Sequence, residues 1–415
     1  MIAFHYPPCR GSSGLQRTLS FSRCLPREGW SPVVLTAKPS VYSQTGDDQL
    51  GDIPVTVPVE RAFALDTRKH LGTKGRYFKW MALPDFWVSW FFWAVPLGLH
   101  LVRKHKPEII WSTYPIATAH LIALTLHRLT GIPWVADFRD PMTEFDSRTK
   151  QQFPKDPAVW RARRWIERLC VKYSSRLVFV TPGAYRMYVE RYPELAKSQC
   201  AIIANGYEEE VFAEAEQMAN HRTLNDGPIV LLHSGSLYPT TDRDPSAFFA
   251  ALASLRKAGK VSRLNLNVVL RASGYDSYYR ELIRKHDLGD IVSLAPTIPY
   301  REALAEMLVA DGLLIFQGYT SNPAIPAKLY EYLRARRPIF GLVDSDGDTA
   351  KTLRETKVAM MVPLDSEPAI ASGLLEFLEM VRAKKTPVLA LAALKRYSRE
   401  HRARELATLL NSIDC

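Results

Sequence analysis

The 415 residues are 47% hydrophobic and 23% charged, a mix that builds buried cores and excludes a disordered or low-complexity chain. The length exceeds one ordinary core, so two α/β domains of about 200 residues each are expected. A net charge of +11 points to an anionic partner, and five scattered cysteines without a CxxC pair exclude a disulfide framework or zinc site and favour a reducing compartment.

In chain order, the apolar run Ile2–Tyr6 predicts a first strand, not a secretion signal, because no basic region precedes it and Pro7-Pro8 end it early. A loop, Pro7-Pro8-Cys9-Arg10-Gly11-Ser12-Ser13-Gly14, leads into a helix over Leu15–Leu25 and then a strand over Pro32–Thr36. Gly11, Ser12, Ser13 and Gly14 let the backbone approach a ligand, and the free N–H groups at the helix start favour an anion; a plain tight turn has the same composition. After a polar excursion to residue 78 comes the aromatic stretch Leu83–Val102. It carries Pro84, Asp85, Pro96 and His100, and its uninterrupted core is shorter than the ~20 residues of a spanning helix. Arg68, Lys69, Lys74, Arg76 and Lys79 precede it, and Arg103, Lys104 and Lys106 follow. Aromatics bordered by cations suit a helix lying on an anionic leaflet, and a buried helix covering the sheet fits as well.

Strands at Ile109–Ser112, Trp134–Asp137 and Leu177–Thr181 alternate with helices at His120–Leu129 and Ala158–Tyr173, which marks right-handed βαβ units on a parallel sheet. The Trp134 strand ends in Asp137-Phe138-Arg139-Asp140-Pro141. Two carboxylates and a guanidinium there can orient hydroxyls and accept a proton, or pair to hold the loop. His5 and His120 are further candidate bases near strand ends, with a packed or solvated histidine as the plainer reading. Asn205-Gly206 ends a strand in a turn dipeptide, and the polar stretch Ala213–Gly227 reads as a linker.

The second half repeats the alternation. Strands are expected at Ile229–Ser234, Asn265–Ala272, Ile291–Leu294, Gly312–Phe316 and Pro338–Leu342, with helices at Ser246–Ala258, Tyr278–His286, Arg301–Ala310 and Lys328–Arg336. In the first turn, His233-Ser234-Gly235-Ser236, the small residues Gly235 and Ser236 admit a phosphate near the backbone. Arg243 can neutralise a diphosphate or stand as a solvated surface charge. Further on, Pro326 and Ala327 lead into a helix with Lys328 in its first turn, where a cation is unfavourable unless an anion sits there too. Glu331, one turn deeper, can accept two hydrogen bonds from ribose hydroxyls, whereas a Lys328–Glu331 pair would stabilise the helix only slightly. Asp344, Asp346, Asp348 and Glu355 have most of a calcium-loop spacing. Thr349 stands where glycine is needed and a strand precedes the loop, so no metal site is expected. Two doubly wound halves facing each other would place ligands beyond the carboxyl ends of their strands.

Taken in order, these motifs resemble the GT-B glycosyltransferases of family 4 over essentially the whole chain. The residues that carry the likeness are Gly11–Gly14, Asp137–Pro141, Asn205-Gly206-Tyr207 with Phe212, Gly235–Tyr238 with Arg243, and Ile325–Tyr332 with Pro338-Ile339. The resemblance implies an α/β fold of two Rossmann-like doubly wound domains facing across a cleft. It divides the chain into an acceptor-side domain at 1–212, a nucleotide-sugar-binding domain at 228–390, and a segment at 391–415 whose helix crosses back to the first domain. It implies a donor held by Gly235, Ser236, Arg243, Pro326, Ala327, Lys328 and Glu331, a phosphate or acceptor loop at Gly11, Ser12, Ser13 and Gly14, and Asn205 and Gly206 at the cleft. Catalytic roles fall to Asp137, Arg139 and Asp140, with retention of configuration and no metal or cofactor beyond the nucleotide-sugar donor. The implied partners are the nucleotide sugar, a glycan or lipid-linked acceptor and an anionic membrane surface. The expected location is the cytoplasm, peripheral on the inner face of the membrane. Nucleic acid is excluded because the basic residues are dispersed. Two departures stand out: Pro323 occupies the place of the first of two family glutamates, and Arg139-Asp140 replaces a His-Asp. A nucleotide-sugar epimerase of the same fold and a non-catalytic nucleotide-sugar binding protein are the alternatives.

Overall fold

The computed structural model describes residues 1–10, 13–72, 76–146, 150–219, 227–239 and 243–414. They form two compact units, residues 1–205 with 399–415, and residues 206–398.

The first unit contains strands β1 (Val34–Ala37), β2 (Val59–Ala62), β3 (Ile110–Thr113), β4 (Trp134–Phe138), β5 (Glu144–Phe145), β6 (Gln152–Phe153), β7 (Arg176–Phe179) and β8 (Cys200–Ile202). Its helices are α1 (Ser13–Cys24), α2 (Trp90–His105), α3 (Thr118–Thr130), α4 (Pro157–Tyr173) and α5 (Pro182–Arg191). β1 pairs with β2, and β3-β4-β7-β8 form a second parallel set; β5 and β6 are a small antiparallel pair. Ile2 bridges β1 and β3 through Leu35 and Ser112. The expected strand Ile2–Tyr6 is thus reduced to a bridge. The Phe4 carbonyl is taken by the hydroxyls of Thr36 (2.9 Å) and Tyr42 (2.7 Å) instead of a ladder partner.

The expected helix over Leu83–Val102 begins only at Trp90. Asp85 instead accepts hydrogen bonds from the backbone N–H and the hydroxyl of Thr118, both at 2.9 Å, and so caps α3. Trp90, Ala94, Gly98 and Leu101 make one buried face of α2, while Phe92 and Trp93 are exposed on the other. Gly98 permits the close packing, since a Cβ there would lie 2.6 Å from a Leu126 methyl.

The second unit contains α6 (Glu209–Met218), β9 (Ile229–Ser234), α7 (Ser246–Lys257), β10 (Leu266–Arg271), α8 (Asp276–Lys285), β11 (Val292–Ala295), α9 (Tyr300–Val309) and β12 (Gly312–Gln317). It continues with α10 (Lys328–Ala335), β13 (Ile339–Val343), α11 (Asp348–Thr356), β14 (Ala359–Val362), α12 (Glu367–Arg382) and α13 (Leu391–Leu394). The strands are all parallel in the order β11-β10-β9-β12-β13-β14. Counted within the unit this is 3-2-1-4-5-6, the doubly wound order, with its reversal between β9 and β12.

Two boundaries differ from expectation. The stretch from Ala213 to Met218 is the end of a helix, not linker, and residues 220–226 lie outside the described part. Val211, Phe212 and Ala215 of α6 are buried, and Arg334 of α10 pairs with Glu209 at 2.5 Å and Glu216 at 2.9 Å. Residues 206–212 therefore belong to the second unit. At the other end, residues 391–398 stay with the second unit, and only α14 (Arg399–Asn411) joins the first. There Ala403, Leu406, Ala407 and Leu410 share a core with Phe21, Cys24, Leu25 and Trp111.

Candidate functional site

The reversal of strand order leaves the turns after β9 and β12 free to meet a ligand, and both turns carry polar groups. β9 ends at His233-Ser234, and Gly235 follows with φ +108, a left-handed backbone that favours glycine. A Cβ at this position would lie 2.9 Å from Lys328 Nζ, so the glycine makes room for the lysine head. Ser236 is exposed in the same turn.

Lys328 opens α10 after buried Pro326 and half-buried Ala327, and its Nζ lies 3.1 Å from His233 Nε2. His233 is wholly buried, with Nδ1 2.8 Å from the Leu314 carbonyl of β12. A carbonyl only accepts, so Nδ1 carries the proton and Nε2 accepts from the ammonium. Burial, and then the charge of Lys328, hold the imidazole well below its ordinary range. Burial first, and Arg243 second, push Lys328 down to about 7, against the favourable field of Glu331. Arg243 donates from Nε to Gln317 Oε1 at 3.2 Å and lies 5.4 Å from the Tyr238 ring centroid. One turn into α10, Glu331 is 9% exposed and its Oε1 accepts from the Tyr300 hydroxyl at 2.7 Å. The Tyr332 hydroxyl accepts from the Ser234 N–H at 3.0 Å and ties α10 to β9.

The expected donor residues thus gather at one end of one sheet. His233, Gln317, Tyr300 and Tyr332 join them, and none was expected there. His233 stood inside a quoted motif, but its partner is 95 residues away and no local spacing announces it. In the former calcium-like segment, Asp344 accepts from Asn322 Nδ2 at 3.1 Å and from the Asp346 N–H at 2.9 Å, which closes the loop ahead of α11.

In the first unit, Asp137 is completely buried and accepts from Arg17 Nε (3.0 Å), Arg17 Nη2 (2.8 Å) and Thr113 Oγ1 (2.7 Å). Arg17 also donates to the Ala204 carbonyl at 3.1 Å. Both oxygens of Asp137 are committed to a clamp between α1, β3 and β4, which makes it a structural counter-ion and not an accessible base. Arg139 is nearly buried and pairs at 3.4 Å with Asp140, whose side chain is 52% exposed. Burial, with Arg139 nearby, pushes His5 down to about 4 and keeps it neutral. His120 belongs to the core, with Nδ1 2.7 Å from Ser112 Oγ and burial pushing it down to about 3.

The loop after Asp140 is pinned by Glu167, which no motif singled out. Its buried carboxylate accepts from Thr143 N and Oγ1 (both 2.9 Å), Tyr188 (2.8 Å), Tyr192 (3.0 Å) and Arg191 (3.0 Å). Gly14 is buried in α1, while Gly11, Ser12, the side chain of Ser13, and Lys74 lie outside the described residues. Asn205 is the last residue before the chain enters the second unit, and Gly206 is the first within it.

Residues 14–206 match a family model described as the glycosyl transferase 4-like domain. No curated protein matches the chain in sequence. Solved structures are similar over almost the full length. Sucrose-phosphate synthase from Thermosynechococcus elongatus is 14% identical at a TM-score of 0.67, covering 99% of this chain and 98% of that one. HepE from Anabaena, solved with UDP and glucose, is 13% identical at a TM-score of 0.65, covering 99% of each chain. A UDP-forming α,α-trehalose-phosphate synthase from Burkholderia xenovorans, solved with glucose-6-phosphate, is 13% identical at a TM-score of 0.63, again covering 99% of each. At these identities the likeness establishes the fold, two Rossmann-like units of the GT-B kind.

Proposed function

We propose that this chain, whose residues 14–206 match the glycosyl transferase 4-like domain and whose fold is of the GT-B kind, moves a sugar from a nucleoside-diphosphate donor to a glycan or lipid-linked acceptor, with retention and without a metal ion or other cofactor. The observation that carries this reading is the convergence of Lys328 and Arg243 on the Gly235 turn at the strand-order reversal. As the glycosidic bond breaks, the diphosphate gains negative charge. Two preorganised cations stabilise that charge more than they stabilise the ground state. Glu331, held by Tyr300, accepts the ribose hydroxyls. The half-exposed Asp140, steadied by Arg139, orients the acceptor hydroxyl.

Contact with an anionic leaflet is part of the same proposal. Phe78 (73%), Trp80 (70%) and Phe92 (68%) are exposed, and exposed Arg68, Lys69, Arg76, Lys79, Arg103 and Lys104 flank them in sequence. This mix suits peripheral contact on the inner face of the cytoplasmic membrane and access to a lipid-linked acceptor. Among the described residues no helix is long and apolar enough to cross a membrane.

Glu331→Ala tests the donor assignment. UDP binding, followed by calorimetric titration, is expected to weaken about fiftyfold through loss of two hydrogen bonds to a charged acceptor, with thermal unfolding unchanged. Unchanged UDP affinity would remove Glu331 from the ribose.

A further inference from the structure

His233 has an arrangement that a simple anion site does not require. The core imidazole of His120 bonds a neutral neighbour, Ser112, through Nδ1 and leaves its buried Nε2 without a partner. His233 instead places its unprotonated nitrogen against an ammonium and fixes its other nitrogen on a carbonyl of β12. The lysine head then rests against the one turn where only glycine leaves it room.

We propose that His233 is a positioning residue for the donor: its Nε2 seats the Lys328 ammonium against the Gly235 turn, and an arriving diphosphate draws a proton from solvent onto that lysine. The inference rests on the donor reading above and adds the residue that governs it and a proton coupled to binding.

Among the described residues, the groups facing Lys328 are His233 from β9, Arg243 from the loop ahead of α7 and Glu331 from α10 itself, with Tyr300 of α9 bonded to Glu331. Arg243 stays charged at every accessible pH and opposes a second cation beside it, while Glu331 favours one. With burial added, the Lys328 ammonium is held far below its ordinary range, at about 7, in the donor-free protein. A diphosphate brings two negative charges within reach, outweighs Arg243 and restores the ammonium. Affinity is therefore full below about pH 7 and falls as pH rises. The ligand's own titration works the other way, because the terminal phosphate of UDP gains charge above roughly pH 6.

Two substitutions separate the two ends of the ring. In His233→Asn the amide nitrogen takes the place of Nδ1, keeps the bond to Leu314 and ends short of Lys328. In His233→Gln the amide oxygen reaches the place of Nε2 and still accepts from the ammonium. The experiment is calorimetric titration of the full chain with UDP, and with GDP in parallel, from about pH 6.5 to about pH 8.5, with thermal melts showing that each variant is folded.

Wild-type affinity is expected to fall about tenfold between pH 7 and pH 8.5. His233→Asn is expected to bind about tenfold more weakly at pH 7, with its decline starting at lower pH, and His233→Gln to stay within about threefold of wild type. A pH-independent wild-type affinity would overturn the proposal. So would an asparagine variant that behaves as wild type while the glutamine variant is impaired, since His233 would then serve only β12. If neither UDP nor GDP binds the wild type at any pH, the donor reading itself fails.

Discussion

Lys328→Met is expected to weaken UDP binding about hundredfold and, in the same protein, to stabilise the fold. The first effect is the loss of a charge-assisted contact to phosphate in a partly desolvated site, worth about 2–3 kcal/mol. The second follows from linkage. The folded pKa of about 7 lies below the unfolded value, so folding holds the ammonium at a cost. That cost is fully present below the folded pKa, about 4 kcal/mol in order of magnitude, and is relieved as pH rises from about 7 towards about 10.4. Methionine fills similar space without charge, and about 1 kcal/mol of the gain is lost to the acceptor left idle on His233. Urea unfolding is expected to show a gain of roughly 2–3 kcal/mol at pH 7 that shrinks by pH 9.5. A variant that is less stable and still binds UDP would make Lys328 a structural residue.

Asp137→Ala is expected to show the opposite balance, a loss of about 3–5 kcal/mol of stability, because Arg17 is left as an unpaired buried charge. Thr113 loses its acceptor in the same change. The clamp spans α1, β3 and β4 and reaches the Ala204 carbonyl, so the damage extends to the segment that ends at Asn205. The control is Asp140→Ala, whose half-exposed partner geometry makes its effect on stability less than about 0.5 kcal/mol. Denaturant unfolding of the two variants side by side checks both values. An Asp137→Ala protein as stable as wild type would contradict the counter-ion assignment and return Asp137 to the candidate bases.

The contrast between these two aspartates shows where the chain could be read and where it could not. The motif Asp137-Phe138-Arg139-Asp140 ends an apolar strand, and that much followed from residue types. Which carboxylate turns inward depends on Arg17, 120 residues away, and no local pattern carries that information. β9 ends where expected, at Ile229 and Ser234, because turn residues bracket a continuous apolar run that is buried in a parallel sheet. β2, with the sequence Val59-Glu60-Arg61-Ala62, escaped notice because two charges break the alternation that marks a half-buried strand. β14 is only four residues of alanine, methionine and valine, too short to stand out from a helix segment. The Ala213–Met218 part of α6 looked like linker because its acidic side chains, Glu214 and Glu216, are satisfied by Arg301 and Arg334, which belong to distant helices.

That Lys328 and the Gly235 turn belong together was legible for a different reason. Lys328 at the start of a helix is unfavourable by itself, and such a local conflict draws attention to the position whatever resolves it. His233 was not legible, because a histidine that ends a buried strand looks the same whether it faces a hydroxyl or an ammonium.

In the proposed reaction the cation-lined turn of the second unit releases a nucleoside diphosphate as its sugar moves to an acceptor. It is tested most directly by incubating the protein with a panel of nucleotide sugars and a lipid-linked acceptor extract while following nucleotide release and the fate of the sugar. Release is expected with one donor of the panel, only when acceptor is present, and is expected to be lost in Lys328→Met. Conversion of the sugar without acceptor, as an epimerase would give, or binding of the nucleotide with no release under either condition, would contradict it.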